Sequence, residues 1–376
     1  MTSNFDICIR GAGIVGHTLA LLLAQMRLRV ALVAPSEDAA QAPDVRAYAL
    51  NAQSKRLLES VRCWPDALHA TAVTHMDVFG DTDGRVQFAA QALGVDALTW
   101  IVDVAPLQAR LREATHYQAL VEVMQTAPAA TLTVICEGKN SSTRAALGIR
   151  YQATRYPQQA IAARVRSEQP HGQVARQWFH AGEVLALLPV GGEQGHELAM
   201  VWSVLDARVD SLMQSTEFQF SEALTAASAN CLGPLRLSSV RHAWPLHSAM
   251  AEHWLGQWTP EPGQPPQTWV LAGDAAHSVH PLAGQGLNLG LADAGELTER
   301  LRARASWRAL DDKRLLRQYE RSRRAQVHTA DTALDGLQKL FFQEHPAWMR
   351  LRNLGMQGFE RSAWLKHWVA KQAMGV

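Results

Sequence analysis

Two short spans hold the residues best suited to chemistry. Near the start, Gly11, Gly13 and Gly16 fall in the spacing GxGxxG within FDICIRGAGIVGHTLALLLAQMRLRVALVAP. Far along the chain, LAGDAAHSVHPLAGQGLNLGLADAGEL (Leu271 to Leu297) carries Gly273-Asp274, a loop with His277, His280 and Pro281, and then Gly284-Gln285-Gly286. In the first span, one glycine permits a tight turn, the next lets backbone approach a pyrophosphate, and the third lets helix and strand pack closely. A helix start there offers free N–H groups and a partial positive charge to phosphates. In the second span an aspartate can accept hydrogen bonds from hydroxyls, and a second helix start can stabilise developing negative charge.

The flanking patterns supply elements that would position these groups. Phe5 to Ile9 reads as a short strand and Val30 to Val33 as a second. Between them Val15, Leu19, Leu22, Leu23 and Met26 recur at helical spacing. Trp269 to Ala272 reads as a buried strand, and Leu287, Leu291, Ala294, Leu297 and Leu301 follow a helical period. The first motif alone does not separate FAD from NAD. Two helix starts distant in the chain suit a long cofactor held at both ends: Asp274 for the hydroxyls of a ribityl chain, the second helix start for the N1–C2=O edge of a reduced flavin. One piece is missing. An acidic residue usually ends the second strand and binds the adenosine ribose, whereas Ala34 stands there, with Ser36, Glu37 or Asp38 as substitutes from the loop.

The bulk numbers bound the rest. A chain of 376 residues suggests two or three domains, and 47% hydrophobic with 19% charged residues is a folded globular composition. Lys plus Arg total 36 against 35 Asp plus Glu, so no global charge favours nucleic acid. Basic residues gather in Arg314 to Arg324 (RLLRQYERSRR), read as a solvated helix face, with contact to an acidic membrane surface as the alternative. The four cysteines are far apart and form no CxxC pair, so neither a zinc site nor a disulfide framework is suggested, and free thiols fit a reducing cytoplasm. The N-terminus lacks the features of a signal peptide, and no apolar run reaches the ~18 residues of a membrane span, so a cytoplasmic protein, at most peripheral at the inner face of the membrane, is expected. His277 and His280 resemble a ligand pair without a third ligand, so no metal is expected.

GDAAHSVHPLAGQGLNLGLADA closely resembles the signature of the FAD-dependent aromatic hydroxylases of ubiquinone biosynthesis, the UbiH-like branch of the para-hydroxybenzoate hydroxylase superfamily. VRAYALNAQSKRLLE (Val45 to Glu59) resembles its arginine segment, GEVLALLPV (Gly182 to Val190) and MVWSV (Met200 to Val204) two strands of its substrate domain, and LLRQYERSRR and LRNLGM (Leu351 to Met356) its C-terminal helices. The resemblance thus covers nearly the whole chain. It implies that Asp274, after Gly273, binds the ribityl or pyrophosphate part of FAD and that Arg46 lies beside the cofactor. It further implies that Pro281 sits near the reactive C4a edge, and that Gly284, Gln285, Gly286, Leu287 and Asn288 present backbone groups to the pyrimidine ring. The two histidines would shape the loop. The family's GADGANSxVR motif, whose Asp-Gly is associated with FAD and NAD(P)H, has its counterpart at Ile135 to Arg144, with Glu137-Gly138 in place of Asp-Gly and Lys139 as an added cation. The approach to it, Tyr117 to Thr131, is too short for the family's usual β-meander.

The expected architecture is α/β: a Rossmann-type FAD-binding domain (1–71, 102–149 and 268–304) interleaved with a β-sheet substrate domain (72–101 and 150–267) and a C-terminal helical segment (305–376). Within the second, Asp81 to Gly84 reads as a hairpin turn, and Glu261 to Pro266 as a loop. The C-terminal segment carries Phe341, Phe342, Trp348, Phe359, Trp364 and Trp368, read as packing mainly on the body. The implied activity is hydroxylation of an aromatic ring by a C4a-hydroperoxyflavin, with NAD(P)H as transient reductant and dioxygen as co-substrate. The implied substrate is a lipid-tailed polyprenyl phenol, with membrane or biosynthetic-complex association. No catalytic side chain is required, since the chemistry is the cofactor's. Two alternatives stand beside it: a flavin-dependent reductase or dehydrogenase, and a non-catalytic complex member with degraded FAD binding.

Overall fold

The computed structural model describes residues 5–34, 44–80, 84–193, 195–259, 265–279 and 285–341, the side chains of 333, 334 and 337–341 excepted, together with 355, 356, 358–360, 362, 364, 366 and 367. Ser36, Glu37, Asp38, the 81–83 turn, the 261–264 part of the loop, His280, Phe342, Trp348, Trp368 and most of the Leu351 to Met356 segment lie outside the described residues.

The chain opens with β1 (Phe5–Arg10), α1 (Ile14–Gln25) and β2 (Val30–Val33), then β3 (Ala47–Leu50) and α2 (Ala52–Ser60). Three strands, β4 (Ala70–Val73), β5 (His75–Phe79) and β6 (Arg85–Ala89), precede the short α3 (Ala90–Leu93), β7 (Thr99–Asp103) and α4 (Val104–His116). Next come β8 (Val121–Met124), β9 (Ala130–Ile135) and α5 (Ser142–Ala146), followed by the long strands β10 (Tyr151–Ser167), β11 (Val174–His180), β12 (Glu183–Pro189) and β13 (Glu197–Leu205). After α6 (Asp206–Gln214) and α7 (Glu217–Ala227) the chain adds β14 (Leu235–Leu237), β15 (His242–Ala251), β16 (Leu255–Trp258), β17 (Gln267–Leu271) and the two-residue β18 (His277–Ser278). Helices α8 (Gly286–Arg302) and α9 (Lys313–Phe341) close it.

A six-stranded sheet runs β16-β17-β9-β1-β2-β8, parallel except at β16–β17. Helix α1 shows why periodicity alone understates its role. Ten of its twelve residues are buried, because α4 and α8 pack against it as well as the sheet. Strand β8 pairs with the outer edge of β2, and residues 125–129 then lead straight to β9 with no intervening strand, as the short approach predicts. Strand β16 joins this sheet, ahead of the boundary at 268 expected from sequence.

The second sheet has nine strands in the order β18-β15-β10-β13-β12-β11-β5-β6, with β14 on β10. Alternation divides its faces by size. Ile161, Ala163, Val165, Trp178, Leu185, Leu187, Met200, Trp202 and Val204 form a core with α6 and α7. The opposite face carries Ala160, Ala162, Ala186, Ala199 and Ser203 at its centre, with Trp244 beside them, and borders a cavity. A three-stranded sheet, β3-β7-β4, lies in the chain between the two sets.

His17 on α1 is buried, with Nδ1 2.9 Å from Thr115 Oγ1 on α4. Burial, assisted by the Arg112 charge and only partly offset by a backbone bond at Ala12, pushes its pKa down to about 4. An unfolded histidine binds its proton near ~6.5. Between these values the unfolded chain binds more protons, so stability is full above pH ~6.5 and falls as pH drops toward 4. Urea unfolding across pH 4–7 should show wild type losing up to roughly 3 kcal/mol more than His17→Gln over that window. Parallel curves for the two chains would refute the assignment.

Candidate active site

A cavity of about 860 Å³ lies between the two large sheets. Its walls include Gly13, Ile14 and Val15 from the first turn, Gly138 and Lys139 from the β9–α5 loop, and Gly273, Asp274, Gly286 and Leu287 from the second. Arg46 and Tyr48 line it from the arginine segment, and strands β10 to β13 and β15 supply the remaining wall. The volume is that of a small-molecule site, ~300–1,000 Å³.

The three N-terminal glycines have three different reasons. Gly11 takes φ +111°, and a Cβ there would lie 2.4 Å from the Cys136 carbonyl oxygen. A Cβ on Gly16 would lie 1.9 Å from the Gly11 carbonyl oxygen, so the helix can approach the strand only without one. Gly13 is not crowded: a Cβ would meet nothing within 4 Å, because that side opens on the cavity. Helix α1 has Gly13 as its N-cap, no side-chain cap, and no acidic residue in its first turn. Its N–H groups and positive end are therefore available to an anion.

The second turn is held from behind. Gly273 takes φ +61°, and Asp293 on α8 accepts hydrogen bonds from Gly273 N (2.8 Å), His277 Nε2 (2.7 Å) and Arg323 Nε (2.6 Å). Asp293 is fully buried. Burial alone would raise its carboxyl, but His277 and Arg323 outweigh this and hold it below the usual carboxylate value. Arg323 also donates to the Leu289 carbonyl (3.0 Å) and to Gln326, binding α9 to α8. His277 stacks on Trp254 at 5.1 Å. Arg323 therefore splits the basic run: Arg314, Arg317 and Arg321 are exposed, whereas Arg323 is core.

Asp274 lies within the cavity, its side chain open to the cavity's solvent yet enclosed by protein on most sides. That sequestration raises its pKa, with His277 opposing the rise and Asp293 adding to it. Its backbone is fixed by the Tyr151 hydroxyl, which donates to the Asp274 carbonyl (2.9 Å). Arg144, buried beneath, donates to the carbonyls of Ala275 (3.0 Å) and Lys139 (2.8 Å) and lies 3.7 Å from the centre of the Tyr151 ring. Helix α8 begins at Gln285 with no side-chain cap and no acidic residue in its first turn. The buried Asn288 accepts from Asn51 N (3.0 Å) and Ser54 Oγ (2.7 Å) and donates to the Ala49 carbonyl (2.8 Å), so its side chain ties α8 to the arginine segment. Arg46 makes a two-pronged pair with Asp44, Nε to Oδ1 at 2.8 Å and Nη2 to Oδ2 at 2.6 Å, which raises its pKa further.

Glu137 is not among the cavity-lining residues. Its carboxylate accepts from Ser141 Oγ (2.7 Å), Thr143 N (2.9 Å), Thr143 Oγ1 (2.6 Å) and Arg10 Nε (3.3 Å). Burial works to raise its pKa, but these bonds lower it overall. The longer side chain thus folds back to brace the loop and the start of α5. Lys139 does reach the cavity, where its ammonium donates to His247 Nδ1 on β15 (3.0 Å). Pro281 and Gly284 lie outside the described residues. The structure therefore brings Gly13, Arg46, Gly138, Gly273, Asp274, Gly286 and Leu287 to one cavity, with Gly11, Gly16, Gln285 and Asn288 supporting it. Sequence reasoning missed Asp293, Arg323 and Arg144. Asp293 inside an otherwise apolar helical run was the available signal for the first, whereas Arg323 was masked by the basic run around it.

No described residues form a cluster suited to a metal ion. The cavity does fit a dinucleotide: an open glycine at one helix start, a carboxylate between, and a second uncapped helix start. Comparison with known proteins agrees. The 3-demethoxyubiquinol 3-hydroxylase of Escherichia coli (strain K12) is 28% identical, over 99% of this chain and 98% of its own. The ubiquinone hydroxylase UbiL of Rhodospirillum rubrum is 29% identical, over 98% and 89%. Among solved structures, p-nitrophenol 4-monooxygenase PnpA from Pseudomonas putida DLL-E4 superposes with a TM-score of 0.74 at 16% identity, covering 100% of this chain and 99% of that one, a likeness of fold. Residues 107–332, more than half the chain, match the FAD binding domain family, and with the two-ended cavity already in hand the conclusion is that this chain belongs to that family.

Proposed function

We infer that this chain is an FAD-dependent monooxygenase that hydroxylates an aromatic ring in ubiquinone biosynthesis, with NAD(P)H as reductant. The observation that carries the reading is the single cavity shared by Gly13, Asp274 and Gly286, together with relatives over nearly the full length named as ubiquinone hydroxylases. Bound FAD would supply the reduction of dioxygen that places one oxygen atom on the ring and the other in water.

The chain's own residues have the following parts in this reading. Gly13 and the first N–H groups of α1 bind the pyrophosphate. The Asp274 carboxylate accepts hydrogen bonds from ribityl hydroxyls. Backbone groups of Gly286 and Leu287, at the positive end of α8, would hold the flavin pyrimidine edge and would stabilise negative charge there. Arg46, held by Asp44, keeps a fixed positive charge on the cavity wall and would sit beside the bound cofactor. Val184, Leu188 and Val201 line the cavity and keep the reacting centre poor in water. Pro281 is assigned to the C4a edge by resemblance alone. We assign the lipid-tailed class to the substrate and a peripheral position at an acidic membrane to the protein. Supporting this are Trp307, 78% exposed, and the outward Arg314, Arg317 and Arg321 on α9. No described helix is long and apolar enough to cross a membrane.

The test is turnover of the FAD-loaded protein with NAD(P)H, ¹⁸O₂ and prenylated phenols. The expected product gains one ¹⁸O atom on the ring. A product formed without added oxygen would replace this reading with a reductase or dehydrogenase. Protein that takes up no FAD would replace it with a non-catalytic role.

A further inference from the structure

Taking the hydroxylase reading as given, we propose that Ser203 is a substrate-recognition residue whose hydroxyl bonds an oxygen substituent of the aromatic ring. Ser203 lies on β13 and is 5% exposed. Its neighbours Met200, Trp202 and Val204 turn into the core behind the sheet, so alternation sends Ser203 to the other face, where it lines the cavity. The register places it between Val184 on β12 and Ala160 on β10, and Ala160 in turn faces Trp244 on β15. Neither flanking side chain offers a polar atom. Among the described residues the Ser203 hydroxyl has no hydrogen-bond partner, and it is not one of the polar atoms sealed away from solvent: it opens on the cavity.

Two features of that arrangement point to a ligand. A hydroxyl that faces a cavity loses its solvent when an aromatic ligand fills the space, and leaving it unpaired then costs free energy. And alanine is depleted in strands, yet Ala160 and Ala162 on β10, Ala199 on β13 and Ala186 on β12 stand on this cavity face in three adjacent strands. The small side chains leave room above the sheet. The row Ser203–Ala160–Trp244 spans two interstrand spacings, about 10 Å, which is the footprint of one substituted ring lying on Ala160 with a hydroxyl at one end and an indole at the other. The missing hydrogen-bond partner arrives with the ligand. The pairing selects for ring position rather than for reactivity, so Ser203 touches substrate without taking part in oxygen transfer.

The test uses the FAD-loaded full chain and two probes that differ only in the ring hydroxyl, 4-propylphenol and propylbenzene, with binding read from perturbation of the flavin absorbance. Wild type should bind the phenol about tenfold more tightly, the effect of one buried hydrogen bond. Ser203→Ala should reduce that ratio to within about twofold while leaving propylbenzene affinity, FAD affinity and thermal stability unchanged. Ser203→Thr, which keeps the hydroxyl, should retain most of the discrimination. If Ser203→Ala keeps the tenfold ratio, or weakens both probes equally, the assignment is wrong while the hydroxylase reading stands. If wild type binds neither probe, this assignment falls, while the hydroxylase reading is decided separately by ¹⁸O incorporation into the product.

Discussion

Gly13→Ala and Gly16→Ala should fail in different ways. At Gly16 the added Cβ collides with a backbone oxygen at 1.9 Å, and no rotamer change relieves it. The α1 start must move away from β1, at a cost of about 3 kcal/mol or more, and FAD binding goes with it. At Gly13 the Cβ meets nothing, so Gly13→Ala should fold with a loss below about 1 kcal/mol. Its methyl group nevertheless projects into the cavity where the pyrophosphate must approach the helix N–H groups. Loss of one or two charge-assisted hydrogen bonds would weaken FAD binding about 10- to 100-fold. FAD fluorescence titrations and urea unfolding of both variants separate the two defects. A Gly16→Ala protein with wild-type stability, or a Gly13→Ala protein that binds FAD normally, would contradict this division of roles.

Asp293→Asn should be the most damaging change outside the cavity. The amide keeps the size of the side chain but removes the charge that compensates Arg323, which is 2% exposed. Breaking one side of a buried ion pair costs about 3–5 kcal/mol, since the remaining charge is left in a poorly polarisable interior. The effect should extend to the cofactor, because Asp293 also anchors Gly273 N and His277 and so fixes the turn that carries Asp274. The double change Asp293→Leu with Arg323→Met removes both charges together. It should recover about half of the lost stability, with Gly273 N and His277 still unpaired, and should not recover FAD affinity. A double-mutant cycle of Asp293→Leu, Arg323→Met and the two together, read by denaturant unfolding of the FAD-free chains, decides the matter. A double variant as unstable as the sum of its single changes would mean that the two side chains do not act as a pair.

The β1–α1–β2 unit was legible because glycine spacing and apolar periodicity are local properties, set by steric rules within about 30 residues. The strand before Gly273 and the helix after Gly286 were legible for the same reason. Loss of the meander could be read from chain length alone: residues 125–129 are too few to make an extra strand and return. What sequence reasoning could not give were the contacts that join distant segments. Asp293 meets Arg323 thirty residues on, and Arg144 meets Ala275 across 131 residues. The charge retained by Glu137 suggested a cofactor contact. The extra methylene instead lets that carboxylate turn back on Ser141 and Thr143. Lys139 was visible as an added cation, but its partner, His247 on another sheet, was not. Strand β16 was placed beyond the first sheet because β16 and β17 are separated by the Pro-rich 259–266 segment, and such a segment looks the same between domains as within a hairpin.

The central claim is that two glycine-bearing turns, far apart in the chain, hold one FAD between them. Amide hydrogen exchange of the FAD-free chain, titrated with FAD, tests it most directly. The account predicts that peptides covering Gly11–Leu19 and Gly286–Leu291 become protected together, with the same half-saturating FAD concentration. Protection confined to one of the two, or protection of each at a different FAD concentration, would contradict it.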